Sequence, residues 1–156
     1  MIYAIGLLAI LGVLFLFGRK SVHHEITVNA SPEKVWSVLI NTDKYNDWNP
    51  VMELLEGVVK EGSKVKYNFT QTADSNYDID TYVKKVTPTE LLHQGGGVPG
   101  IITFDHRYIL EKSAGGTKLT IHEDYRGIYV LFWNPAPVEA AYSKLNEAIK
   151  KRVEEI

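Results

Sequence analysis

Ala30–Pro50 reads ASPEKVWSVLINTDKYNDWNP, and the order of signals in it sets the fold class. Ser31 caps orphan backbone N–H groups, Pro32 is preset for the first helical position, and Glu33 suits the positive end of the helix dipole. The helix runs to about Ile40 and buries Val35, Trp36, Leu39 and Ile40. Thr42-Asp43 opens a second short helix. It must end before Pro50, because the residue before a proline avoids the α region.

Working outward, His23–Ala30 is β-rich with apolar positions at Ile26 and Val28, so a strand precedes the two helices. After them, strands are expected near Val51–Glu56, Lys64–Gln71, Asp78–Val86, Glu90–Gln94, Ile102–Glu111 and Lys118–Arg126. Turn chemistry separates them at Glu61-Gly62, Ala73–Asn76, Thr87-Pro88, Gly95–Gly100 and Ser113–Gly116. The chain closes with a long amphipathic helix from about Pro137, with Val138, Ala141, Tyr142, Leu145, Ala148, Ile149 and Val153 on one face. Consecutive strands without helices between them imply antiparallel hairpins, hence an α+β sheet with its helices on one face. The terminal helix must lie across the concave side of that sheet. The space between them suits an apolar ligand.

Ala30–Pro50, the Gly62 turn, HRYILEK (His106–Lys112) and GGTKLTIHEDYRG (Gly115–Gly127) together resemble the START-like helix-grip superfamily, also called SRPBCC. Within it they are similar to the polyketide cyclase/dehydrase and lipid-transport family. The resemblance covers about His23 to Glu155. It implies a curved antiparallel sheet of about seven strands wrapped around the C-terminal helix, with two short helices after strand 1. It does not imply one function, since the superfamily includes lipid carriers, cyclases, hormone receptors and co-chaperones.

Alternation along the strands selects the inward side chains. Phe104, His106, Tyr108 and Leu110 share a face of the sixth strand, and Leu119, Ile121, Glu123 and Tyr125 share one of the seventh. Val65, Tyr67 and Phe69 face inward on the third strand, and Leu92 and Gln94 on the fifth. Tyr142, Leu145 and Ile149 form the helical wall. The expected ligand cavity is therefore lined by Tyr67, Phe69, Leu92, Gln94, Phe104, His106, Tyr108, Ile121, Glu123, Tyr142, Leu145 and Ile149. Plain core is the competing reading for the apolar members. A hydrogen-bonded core histidine is the competing reading for His106. Glu123 between Ile121 and Tyr125 is costly unless paired or protonated, with His106 or a ligand hydroxyl as partner; a one-residue slip of register would place it in water.

Outside this domain, Met1–Phe17 is an uninterrupted apolar run followed at once by Gly18-Arg19-Lys20. About 17 residues at 1.5 Å each span roughly 25 Å, near the lower limit for a bilayer core. The run lacks a basic n-region and a small-x-small cleavage site, so a transmembrane anchor over residues 1–20 is preferred to a signal peptide. The domain is then residues 21–156. Arg19 and Lys20 after the span place the N-terminus outside and the domain in the cytoplasm, single-pass.

The 156 residues carry a formal net charge of −2 and no cysteine, so disulfides, thiolate metal sites and a cysteine nucleophile are excluded. A mildly acidic chain without a basic stripe is not expected to bind nucleic acid. His23 and His24 point to opposite faces, His122 points outward, and five scattered histidines do not converge as zinc requires; no metal and no cofactor is expected. No GxSxG, Walker loop or GxGxxG is present. Gly95–Gly97 with Pro99-Gly100 is read as a mobile loop at the cavity mouth. Ile128–Trp133 is read as core or as an apolar lip. The expected partner is a hydrophobic small molecule or lipid, held without turnover. The alternatives are a cyclase- or dehydrase-like enzyme using His106 or Glu123, and a scaffold or co-chaperone domain with a filled core.

Overall fold

Hairpin follows hairpin from Met52 to Arg126, as expected of alternating strands joined by short turns. The computed structural model describes residues 18–156 together with Tyr3, Ile5, Gly6, Leu7, Ile10 and Gly12 of the N-terminal segment, which are helical and exposed. The strands are β1 (Arg19–Val28), β2 (Met52–Glu56), β3 (Lys64–Thr72), β4 (Ser75–Thr87), β5 (Leu91–Val98), β6 (Ile102–Ser113) and β7 (Gly116–Arg126). They form one antiparallel sheet in the order β1-β7-β6-β5-β4-β3-β2. Register shifts interrupt the β2–β3, β3–β4 and β4–β5 ladders. Each bulge bends its strand and adds twist, which curls this side of the sheet.

Helix α1 (Pro32–Ile40) starts as its sequence dictates. Ser31 sits in an extended conformation, its side chain accepts from the Lys34 N–H, and Pro32 occupies the first turn. A 3₁₀ helix (Thr42–Asp47) follows, and the buried Tyr45 hydroxyl donates to the Leu39 carbonyl at 2.6 Å. Helix α2 (Ala136–Glu155) buries Val138, Ala141, Tyr142, Leu145, Asn146, Ile149 and Val153 against the sheet and α1. Asn146 is the polar exception on that face. Its Nδ2 lies 2.9 Å from His24 Nδ1 and donates to the His24 carbonyl at 3.1 Å, pinning α2 to β1.

Four expectations change. Helix α1 buries Val35, Val38 and Leu39, while Trp36 and Ile40 are only half-buried. β1 begins at Arg19 rather than His23 and stops at Val28, because Arg19 and Lys20 pair with Arg126 and Tyr125 at the end of β7. Those two basic residues therefore belong to the sheet. Gly95–Gly97 is strand, not mobile loop, and pairs with Asp105, Phe104 and Thr103. A Cβ at Gly96 would stand 2.4 Å from the Asp80 carbonyl oxygen, so glycine is there to let backbones approach. Ile128–Leu131 is a short 3₁₀ helix in which Val130 is buried while Tyr129 is exposed, so it contributes both to core and to rim.

Among the described residues no helix is long and apolar enough to cross a membrane. Most of the expected span, Met1–Phe17, lies outside the described residues.

Candidate ligand cavity

Cross-strand register stacks the inward side chains of β5, β6 and β7 in three rows. Leu92, Tyr108 and Ile121 form the first, Gln94, His106 and Glu123 the second, and Gly96, Phe104 and Tyr125 the third. The first row is solid core, with exposures of 1%, 2% and 0%, and Leu145 and Ile149 of α2 are equally buried. From the second row outward the helix and sheet enclose a cavity of about 600 Å³. Its walls come from β2 to β7, from the N-terminal half of α2 (Val138, Tyr142) and from the segment carrying Tyr129, Trp133 and Asn134.

The middle row is a polar band across a mostly aromatic and aliphatic surface, to which Gln71, Thr81 and Asn134 add further polar groups. Glu123 is 3% exposed, and its Oε2 accepts from the Tyr125 hydroxyl at 2.6 Å and from the Tyr142 hydroxyl. His106 Nδ1 lies 3.2 Å from the Tyr142 oxygen and 3.6 Å from Glu123 Oε2. Its ring stands edge-on to Tyr108 and Tyr142. Gln94 Nε2 donates to the Tyr67 hydroxyl at 3.0 Å. Two hydroxyl donors and a nearby imidazole are what allow a carboxylate to remain out of water.

The tyrosines are held in their protonated form. Burial pushes the Tyr67 phenol up to about 12, partly offset by the hydrogen bond from Gln94. Burial first, and then the negative charge of Glu123, drive Tyr142 and Tyr125 well above the ordinary phenol range. Burial, Tyr67 and Glu123 do the same to Tyr108. These phenols therefore serve as O–H donors at any ordinary pH.

The sequence pattern of the family described as polyketide cyclase/dehydrase and lipid transport matches residues 19–155. The chain belongs to that family. Its helix-grip fold is shared with solved structures of low identity. A protein from Chromobacterium violaceum is 15% identical, with a TM-score of 0.70, covering 86% of this chain and 97% of its own. The Zhui aromatase/cyclase from a Streptomyces species is 18% identical, with a TM-score of 0.67 and coverage of 87% and 94%. A point mutant of Thalictrum norcoclaurine synthase, solved with a transition-state analogue, is 18% identical, with a TM-score of 0.63 and coverage of 88% and 95%. At these identities the likeness concerns the fold alone. No curated protein matches the chain.

In this polyketide cyclase/dehydrase family member, seven of the twelve expected lining residues stand around the cavity: Tyr67, Phe69, Gln94, Phe104, His106, Glu123 and Tyr142. Leu92, Tyr108, Ile121, Leu145 and Ile149 do not. They are fully packed beneath its floor, because alternation assigns a side chain to a face and says nothing of its depth. Lining residues missed from the sequence include Met52, Ile79, Thr81 and Val138. Alternation of Tyr77, Ile79 and Thr81 with Asp78 and Asp80 on β4 was a usable signal. Tyr129 and Trp133, within the Ile128–Trp133 run read as core or apolar lip, also stand in the wall. Among the described residues, no three His, Cys, Asp or Glu side chains converge as a metal site.

Proposed function

We propose that the protein binds a small hydrophobic or lipid-like molecule in this cavity and carries or presents it at a membrane, without turnover. The observation that supports the reading most directly is a largely aromatic-lined space of about 600 Å³ with the Gln94–His106–Glu123 band at its floor. That combination suits an amphipathic ligand with its polar end inward.

The position of the N-terminal run favours membrane tethering. Gly127 N–H donates to the Gly18 carbonyl at 2.9 Å, so the chain enters β1 beside the turn that begins the cavity rim. Ile128 and Tyr129 bond back to Gly100 and Ile101 at 3.1 and 3.0 Å, drawing that turn against the β5–β6 turn. The two turns leave Val98, Ile101, Tyr129 and, most of all, Phe132 exposed. An apolar run anchored at Gly18 would hold this apolar rim close to the acyl region. Single-pass insertion with the N-terminus out and the domain cytoplasmic follows from Arg19 and Lys20.

Native mass spectrometry of the full chain, incubated with a total membrane lipid extract, tests ligand binding. A discrete adduct is expected; a clean apo mass overturns the carrier reading. Reporter fusions at both ends test topology, and a C-terminus outside the cytoplasm overturns the orientation.

A second reading, a cyclase- or dehydrase-like enzyme, is favoured by the His106–Tyr142–Glu123 arrangement, which could relay a proton to a bound substrate. Under that reading Glu123→Gln and His106→Ala abolish turnover; under the carrier reading they shift affinity only.

A further inference from the structure

The polar band has a direction. Tyr142 has a single hydroxyl proton and donates it to Glu123 Oε2, so toward His106 its oxygen can only accept. The proton between them therefore belongs to His106 Nδ1. Nε2, on the other edge of the ring, is buried without a hydrogen-bond partner. Glu123 is satisfied on one oxygen only. Both tyrosine hydroxyls and the imidazole gather on Oε2, and among the described residues no hydrogen bond reaches Oε1. The floor of the cavity thus carries a carboxylate oxygen in need of a donor.

Its charge is equally one-sided. Among the described residues no lysine or arginine lines the cavity, and the one acidic side chain in the wall is Glu123. A carboxylate or phosphate brought to this end would face the Glu123 carboxylate with no lysine or arginine in the wall to offset the second charge, an arrangement low-polarity surroundings penalise heavily. A hydroxyl would supply what the floor lacks and add no charge.

We propose that the cavity selects an amphipathic alcohol or phenol, inserted with its hydroxyl toward Glu123, and discriminates against the corresponding anion. The inference rests on the ligand-cavity reading above and names the class of molecule for that site. It separates this protein from a carrier of fatty acids or of phospholipids inserted headgroup first.

The test uses the full chain and two matched probe series, each an alcohol or phenol with its methyl ether and its carboxylate. Farnesol, farnesyl methyl ether and farnesoate form one series; 2-naphthol, 2-methoxynaphthalene and 2-naphthoate form the other. Affinities come from native mass spectrometry and fluorescence titration. The hydroxyl compound is expected to bind at least about tenfold tighter than its ether, which loses the donor and keeps the apolar body. It is expected to exceed the carboxylate by a similar or larger factor, and Glu123→Gln should narrow that second gap. If the Gln variant does not fold, the alcohol-to-ether ratio in the unaltered protein decides alone. Ether or carboxylate binding as tightly as the alcohol overturns the selectivity and leaves the cavity reading standing. Failure of every probe in both series overturns the two together.

Discussion

The hydroxyl of Tyr142 on α2 donates to the carboxylate of Glu123 on β7. This one bond ties the terminal helix to the sheet at the level where solid core gives way to cavity. Tyr142→Phe removes the donor and also leaves His106 Nδ1 without its acceptor. The variant should lose about 1–3 kcal/mol in urea unfolding, the cost of stranding buried polar groups. A loss below about 0.5 kcal/mol would show that Tyr125 alone satisfies the carboxylate.

Depth along α2 separates core from cavity. Leu145 is fully buried, and Leu145→Trp should overpack its site by about 1–3 kcal/mol. Ile79 lines the cavity, and Ile79→Trp should fill it. Thermal unfolding of the Ile79 variant is expected to stay near that of the parent while adduct formation with lipid extract disappears. Equal destabilisation by the two substitutions would contradict the placement of the cavity.

Gly127 joins β7 to the rim at φ +136°, and a Cβ there would lie 2.2 Å from the Ile101 carbonyl oxygen. Gly127→Ala should destabilise by more than about 1 kcal/mol, through strain and collision together. It should also disturb the Gly18–Gly127 hydrogen bond through which the N-terminal segment meets the rim. Chemical unfolding measures the first effect, and amide exchange at Gly127's neighbours the second.

Alkaline pH should unfold the protein through its tyrosines. Tyr67 titrates near 12 when folded against an ordinary value of 10.0, so the folded state holds a proton the unfolded chain has released. Its contribution is complete below pH 10 and is lost as pH rises from there toward 12. Tyr67→Phe should flatten the fall in stability across that window, read from urea midpoints.

Acid acts on the other face of the sheet. Burial raises the Asp105 carboxyl, but hydrogen bonds and charge from Lys84 and His93 outweigh it and leave it below 3.8. Arg107, with His122, lowers Asp124 against the opposing effect of burial. Both carboxylates favour the fold above their unfolded value, and that contribution is lost as pH falls through the folded ones. Arg107→Gln should therefore weaken the acid dependence between pH 4 and 2 (about that range) without touching the alkaline limb. An unchanged acid limb would assign it to other groups.

The helix start at Ser31-Pro32-Glu33, the succession of elements along the chain and the apolar stripe of α2 were all legible in the sequence, because capping, turn chemistry and periodicity act within a few residues. The same local rule brought Gln94, His106 and Glu123 to the inner face. It could not say that these three stand side by side, since that depends on the register of three strands. Nor could it separate Tyr142, at the cavity, from Leu145, less than one turn along and fully packed. Gly95–Gly97 misled for a related reason: glycine encodes both looseness and close approach, and the Asp80 backbone across the sheet chose the second. Tyr129 and Trp133 sit in a wholly apolar run that reads equally as core or lip, because without polar alternation no face is assigned. Local chemistry thus determined which elements form and which face each side chain takes. Where the helix parts from the curved sheet, and so where the chain encloses a space instead of a core, is decided by bulges, register and long-range packing that exist only in the folded molecule.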